Sequence, residues 1–201
     1  MDHGVSAARC DPAIASIILA AGQSRRMGAL NKLLLPIDGT AMIRRVVDSV
    51  LMSRAQPVVV VTGFEFYRVA DALAGCDVRL VHNPLFEHGM GASLACGFRA
   101  LTTPVDGALV CLGDMPFITA AIIDELLASF SRETPDSICV PVVDGRFGHP
   151  VLFASRYFQQ LAALDGDQGA RKILDAAGDA LTRVIVEDGA VFRDIDREED
   201  L

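Results

Sequence analysis

Arg25, Arg26 and Lys32 place a cluster of cations in and just after the loop Leu19-Ala20-Ala21-Gly22-Gln23-Ser24-Arg25-Arg26-Met27-Gly28. Such a loop suits a nucleoside triphosphate. Gly22 and Gly28 allow backbone angles closed to other residues, so main-chain N–H groups can turn toward phosphate oxygens while the side chains add positive charge. Neither widespread phosphate loop has this spacing. A P-loop needs four residues between its glycines and a Lys-Ser/Thr directly after the second, whereas five separate Gly22 from Gly28, and Ala29 follows. Gly89-Met90-Gly91 begins like a dinucleotide fingerprint but has Leu94 where the third glycine belongs. The plainer alternative is a basic surface loop, since glycine-rich turns are common.

Carboxylates form the second group. Asp114, in Gly113-Asp114-Met115-Pro116, follows a wholly apolar run and should project at the same sheet edge as the Gly22 loop. A divalent cation bridging it to phosphate oxygens would offset the cost of an unpaired charge there; the alternative is a turn or helix cap near Thr119. Asp194-Ile195-Asp196 offers a pair whose alternation puts both carboxylates on one face, with a solvated charge run as the competing reading. Asn83-Pro84 and Gly89-Met90-Gly91-Ala92-Ser93 flank a helix start, where Ser93 either bonds a base or is an ordinary first-turn residue. His149 either meets a substrate or is a structural histidine. Arg171, in Gly166-Asp167-Gln168-Gly169-Ala170-Arg171, either meets an anionic second substrate or pairs with Asp167 or Asp175.

The elements that must position these groups alternate along the chain. Ser16–Ala21, Val58–Thr62 and Gly107–Leu112 are continuous apolar runs, as in strands buried on both faces. Thr40 caps a helix in which Met42, Ile43, Val46, Val47, Val50 and Leu51 recur at helical spacing. Helices are expected over 64–73, 91–101 and 120–130, and strands over 78–82 and 137–143. After Gly145 the periodicity changes. Phe147–Phe153 reads as a return strand, antiparallel to the others, followed by helices near 156–164 and 169–177. Thr182–Val186 and Val191–Ile195 read as the last strands. The alternation predicts an α/β fold, a mostly parallel sheet with helices on both faces, and ligands meeting at the carboxyl ends of its strands.

With 201 residues, 51% of them hydrophobic, and no linker, repeat or low-complexity tract, the chain is expected to form a single domain over 1–201. Within it, 1–13 would be a tail, 14–118 a nucleotide-binding half and 119–201 a second-substrate half. A formal net charge of −8 argues against nucleic-acid or membrane partners, whose phosphates call for a cationic face. The five cysteines show neither Cys-x-x-Cys pairing nor ligand spacing to histidine, so reduced thiols and a cytoplasmic location are expected. No apolar run approaches the roughly 20 residues needed to span a bilayer.

The motifs Leu-Ala-Ala-Gly-x-Ser-x-Arg-Met-Gly with Lys32, Asn-Pro, Gly-Met-x-x-Ser-Leu, Gly-Asp-Met-Pro, Gly-His-Pro-Val-Leu-Phe, Gly-Asp-x-Gly-Ala-Arg and Asp-Ile-Asp occur in this order from 19 to 196. Together they resemble the molybdenum cofactor cytidylyltransferase family, among nucleotidyltransferases of the glycosyltransferase-A-like fold. That is a three-layer αβα sandwich with a Rossmann-like, mostly parallel mixed sheet, as in nucleotide-diphospho-sugar transferases. The first loop alone is shared across the superfamily; the later motifs narrow it. Ala21 stands where related guanylyltransferases usually have glycine, which favours cytosine. One departure is Asp-Ile-Asp-Arg-Glu-Glu-Asp, where Asp-Ile-Asp-Thr-Pro-Glu-Asp is more usual.

The resemblance implies transfer of CMP from CTP to the phosphate of molybdopterin, giving the cytosine dinucleotide and pyrophosphate. Leu19, Ala20, Ala21, Gly22, Ser24, Arg25, Arg26, Lys32, Asn83, Ser93 and Gly113 would bind the nucleotide. Arg26, Lys32 and Asp114 would be catalytic, Asp114 and Asp196 would hold Mg²⁺, and His149, Gly169 and Arg171 would bind the pterin. A recipient molybdoenzyme is a further partner. The alternatives are a cytidylyl- or uridylyltransferase for another phosphorylated small molecule, and a non-catalytic cofactor chaperone.

Overall fold

The computed structural model describes residues 11–24, 30–130, 137–196 and 200. Three strands form its centre: β1 (Ile14–Ala20), β4 (Val58–Thr62) and β6 (Gly107–Leu112). β1 pairs in parallel with both of the others, Ile17 lying opposite Val59 on one side and Val110 on the other. Every residue of β4 is buried, and β1 and β6 are buried except for Leu19 and Leu112 at their ends. Unbroken apolar runs therefore formed strands covered on both faces, and the more open ends are the carboxyl ends, where a ligand must enter.

β2 (Pro36–Ile37) and β3 (Thr40–Ala41) make a separate two-stranded ribbon. Asp38 and Gly39 turn it with φ of 49° and 79°, the pair of left-handed angles that Asp-Gly hairpins favour. Thr40 is thus a strand residue and not a helix cap: α1 (Met42–Leu51) starts after Ala41 with no side-chain cap. The remaining strands are β5 (Arg79–His82), β7 (Ile138–Val143), the short β8 (Arg146–Phe147), β9 (Val151–Ala154) and β10 (Leu181–Ile185). The main sheet runs β10-β7-β9-β6-β1-β4-β5, with β8 on β7. β9 is antiparallel to both β6 and β7, as the change of periodicity after Gly145 led us to expect. All the other pairings in the main sheet except β7–β8 are parallel.

The helices complete an αβα sandwich. α1 packs with α2 (Phe66–Ala72) and α4 (Ala120–Ser129) on one face, while α3 (Met90–Ala100) and α5 (Phe158–Leu161) meet on the other; α6 (Arg171–Ala177) follows. Thr119 does cap α4, accepting from the Ile122 N–H at 3.3 Å. Gly97 lets α3 sit on the sheet, since a Cβ there would lie 2.6 Å from Ile17 Cγ2. The buried apolar side chains form one cluster reaching from Ile14 to Ile195. No helix among the described residues is long and apolar enough to cross a membrane.

Val191–Ile195 is not a strand. The Asp188 side chain accepts from the Ala190 N–H at 2.8 Å and opens a 3-10 turn over Gly189–Phe192, a local bond that competes with pairing into a sheet. Beyond this turn the chain is held by single bonds, among them Ile195 N–H to the Asp114 carbonyl at 3.0 Å.

Candidate functional site

The chain leaves β1 toward β4 and β5, then returns through α3 to β6 on the other side of β1. This reversal opens a crevice at the carboxyl ends of β1 and β6, the usual ligand position in such sheets. Gly113 carries the pairing one residue past β6, its N–H donating to the Leu19 carbonyl at 2.9 Å. A Cβ at Gly113 would sit 2.8 Å from that oxygen, so only glycine brings the two strand ends this close. Asp114 is thereby fixed beside the loop that follows β1. Its own carbonyl holds Ile195, which carries Asp196 to the same place.

Lys32 closes the cluster. It begins a 3-10 turn (Lys32–Leu34) that Asn31 caps, accepting from the Leu33 N–H at 3.1 Å, and its own N–H donates to Ser24 Oγ at 3.1 Å. The Lys32 ammonium lies 2.7 Å from Asp114 Oδ2 and 2.9 Å from Asp196 Oδ1, with the three side chains 14%, 23% and 33% exposed. Burial alone would lower the Lys32 pKa, but attraction and hydrogen bonds from Asp114, then Asp196, outweigh it and raise the pKa above its ordinary value. Asp194 is exposed to solvent, so Asp196 is the member of the pair that faces Lys32.

The loop turns differently from the expectation. Gly22 has no left-handed φ, and a Cβ on it would meet no atom of the described residues within 4 Å; the left-handed residue among those described in the loop is Ser24, with φ 52°. Gly22 thus leaves open room instead of making the turn. Arg25, Arg26 and Gly28 lie outside the described residues.

Gly22, Ser24, Lys32, Ser93 and Asp114 line a cavity of about 360 Å³, together with the end of β1. Asn83 stands behind this wall. Its Nδ2 donates to Ser93 Oγ at 3.1 Å and its Oδ1 accepts from the Leu85 N–H at 3.0 Å. It therefore orients Ser93, leaving the Ser93 proton to be donated elsewhere.

His149, Gly169 and Arg171 line a second cavity of about 410 Å³, whose wall of Leu19, Met90 and Leu112 is shared with the first. Gly169 has φ 54°, and a Cβ there would lie 3.1 Å from Met90 Sδ. His149 Nδ1 is buried with no hydrogen-bond partner among the described residues. Burial lowers the His149 pKa, and the negative charges of Asp114 and Asp194 oppose this only in part. Arg171 is exposed, its Nε 3.9 Å from Asp175 Oδ2 one turn along α6.

Sequence reasoning paired Asp167 with Arg171 as one alternative, but Asp167 lines the first cavity. The Gly91 N–H donates to the Gly166 carbonyl at 2.7 Å, and a Cβ on Gly91 would lie 2.7 Å from the Asp165 carbonyl oxygen. The two glycine motifs mesh, and that contact brings Asp167 over the start of α3. The signal was the paired glycines of both motifs, which mark a close approach without naming its partner. Phe86 and Phe147 also line the cavities and belong to no motif, and Met90, inside the Gly89 motif, lines both.

The MobA-like NTP transferase domain family matches residues 16–182. The purine catabolism protein PucB of Bacillus subtilis (strain 168) is 31% identical over 203 residues, covering 94% of each chain. A nucleotidyl transferase from Methanothermobacter thermautotroptrophicus superposes with a TM-score of 0.80 at 25% identity, covering 94% of each chain. Rv0371c from Mycobacterium tuberculosis, in complex with manganese, does so with a TM-score of 0.72 at 27% identity, over 94% of this chain and 95% of that one. The fold is that of the nucleotide-diphospho-sugar transferases.

Proposed function

Because the chain belongs to the MobA-like NTP transferase family, we propose that it transfers CMP from CTP to the phosphate of molybdopterin, releasing pyrophosphate. The observation that carries this reading is the pair of cavities sharing Leu19, Met90 and Leu112, with Lys32, Asp114 and Ser93 on one side and His149 and Arg171 on the other. One cavity takes the nucleotide and the other the phosphorylated acceptor, so the two phosphates meet at the shared wall. In this division residues 14–118 serve chiefly the nucleotide and 119–201 chiefly the acceptor, within one domain, with Asp167 and Asp196 crossing to the nucleotide side.

The site needs no strong base. A phosphate monoester with its second pKa near 6 is largely dianionic at pH 7, so the protein has to position it and neutralise charge. The Lys32 ammonium serves the triphosphate and the charge that grows on the leaving pyrophosphate. Ser93, oriented by Asn83, donates to the base, and the room left at Gly22 lets phosphate approach the backbone. Arg25 and Arg26 add their charges to the same loop in this reading. His149 Nδ1 and the Arg171 guanidinium meet the pterin and its phosphate.

Asp114 and Asp196 fit a divalent cation: they are hard oxygen donors converging on one cationic centre. No group of three or more His, Cys, Asp or Glu suited to a metal occurs among the described residues, so the other ligands would be phosphate oxygens and water, as magnesium prefers. The manganese complex of Rv0371c supports a divalent ion in this family; magnesium is the ion we propose. When bound, it supplies charge neutralisation at the phosphoryl oxygens.

Cytosine preference rests on Ala21 in the first loop. The test is pyrophosphate release from each nucleoside triphosphate with Mg²⁺ and molybdopterin, together with calorimetric titration of CTP and GTP. CTP should bind more tightly and be turned over. Equal or tighter GTP binding removes the cytidylyl assignment, and release with a different phosphorylated acceptor alone removes molybdopterin. The same reading places the protein in the cytoplasm, handing its product to a recipient molybdoenzyme.

A further inference from the structure

Lys32 Nζ sits between Asp114 Oδ2 and Asp196 Oδ1, 2.7 Å from one and 2.9 Å from the other. These belong to the two carboxylates to which the cation was assigned. Magnesium binds its oxygens at about 2.0–2.1 Å, so an ammonium lodged between the two carboxylates competes with it for the same space and the same negative charge. We propose that Lys32 fills the divalent-cation place between Asp114 and Asp196 and leaves it only when metal and nucleotide arrive together. The inference rests on the reading of these aspartates as cation ligands.

Charge balance gives the direction. One ammonium and two carboxylates sum to a single negative charge. Replacing the ammonium by a divalent ion brings the carboxylates to neutrality but leaves Lys32 as a cation beside another cation, facing only the single carboxylate charges of Asp167 and Glu87 on the cavity walls. A triphosphate supplies a denser negative charge at the loop than either carboxylate, so the exchange is more favourable with nucleotide than without it. Local structure lets the side chain move while its root stays fixed. The Lys32 N–H is held by Ser24 Oγ and the turn by the Asn31 cap, whereas the four-carbon stem has the rotatable bonds to redirect the ammonium. Lys32 also lines the cavity that contains Gly22, where a methyl group would meet no neighbour among the described residues. The ammonium therefore has somewhere to go: toward the phosphates of a bound nucleotide.

The consequence is opposite to that of a lysine that only aids binding: removing it should strengthen metal binding in the absence of nucleotide. Mn²⁺ binding is measured by the electron paramagnetic resonance of the free ion for the wild type, Lys32→Met and Lys32→Gln, without nucleotide. Both variants are expected to bind at least tenfold more tightly than the wild type, and Asp114→Asn added to either should abolish the gain. A variant that fails to fold leaves the wild-type arm decisive. There the Lys32 ammonium signal, followed by ¹⁵N NMR, should stay in place with millimolar Mg²⁺ alone and shift when α,β-methylene CTP is added with it. Equal Mn²⁺ affinities, or a shift with Mg²⁺ alone, overturn the exchange while leaving the cation assignment standing. If no protein binds Mn²⁺ and the signal ignores Mg²⁺ with nucleotide, the aspartates are not cation ligands and both readings fall.

Discussion

Gly22 and Gly113 flank the same crevice, yet alanine should act on them in opposite ways. At Gly113 a Cβ would lie 2.8 Å from the Leu19 carbonyl oxygen, 3.0 Å from Ile43 Cδ1 and 3.4 Å from Leu33 Cδ2. The carbonyl belongs to β1, which is paired on both sides, and it cannot recede without losing the Gly113 N–H bond. Overpacking of this kind costs about 1–3 kcal/mol. At roughly 2–4 °C per kcal/mol for a chain of this size, the thermal midpoint of Gly113→Ala should fall by about 2–12 °C. Asp114 is the next residue, so turnover should fall as well.

At Gly22 the backbone is not left-handed and the added methyl meets nothing among the described residues within 4 Å. The free protein should therefore keep its stability or gain up to about 1 kcal/mol, because alanine restricts the unfolded chain. In the proposed site the methyl group takes up space that the phosphates would fill, so CTP affinity should drop at least about tenfold, equivalent to about 1.4 kcal/mol. Calorimetric melting and CTP titration with Mg²⁺ read both quantities. If Gly22→Ala binds CTP like the wild type, the triphosphate does not lie against this loop. If Gly113→Ala melts like the wild type, the strand ends are not as close as the Leu19 contact requires.

Asp114→Asn keeps shape and removes charge; turnover should fall by about 10²-fold or more, in line with lost electrostatic stabilisation, and near-native activity at saturating Mg²⁺ would make Asp114 a turn residue. Lys32→Ala should raise the KM for CTP or lower kcat. Arg171→Ala should leave CTP untouched and weaken the acceptor by about 1.5–3 kcal/mol if a charge-assisted bond is lost; measured KM values that show chiefly a CTP defect would disprove the acceptor assignment. His149 favours its neutral form in the fold because burial lowers its pKa. The stability it contributes is complete above the unfolded value of about 6.5 and is lost as pH falls from there toward the lowered folded value. Denaturant unfolding at pH 7 and pH 5 should therefore show a smaller acid loss in His149→Gln than in the wild type, and identical losses would show that His149 is not buried as described.

The central strands were readable because a run such as Val58–Thr62 must be apolar at every position when both faces are covered. The antiparallel return of β9 was readable from the break after Gly145. Thr40 and Val191–Ile195 misled for the same reason: a local pattern was assigned without the bonds that compete for it, the Asp38-Gly39 hairpin in one case and the Asp188 turn in the other. The site was legible as residue types but not as contacts. Lys32 and Asp196 stand 164 positions apart, and nothing in either segment announces that the cation assigned to phosphate also bridges the carboxylates assigned to metal. Asp167 was similarly hidden, because its neighbours come from α3.

β6 explains how such distant segments meet. Its residues Val110 and Leu112 line the second cavity, while Asp114, two residues beyond its end, lines the first. β9 pairs with β6 through Val110 and Val151, and the residues entering β9 bring His149 to the same end of the strand. The His149 N–H donates to the Val191 carbonyl at 3.0 Å, a few residues before Ile195 reaches Asp114. One short segment, Val191–Asp196, therefore ties the acceptor side to the cation side. A change at Val191 that lengthens this tie should displace His149 and Asp196 together, so the two cavities are not independent compartments. An insertion that keeps both sets of lining residues but loosens this segment should therefore impair turnover more than it impairs binding of either substrate alone.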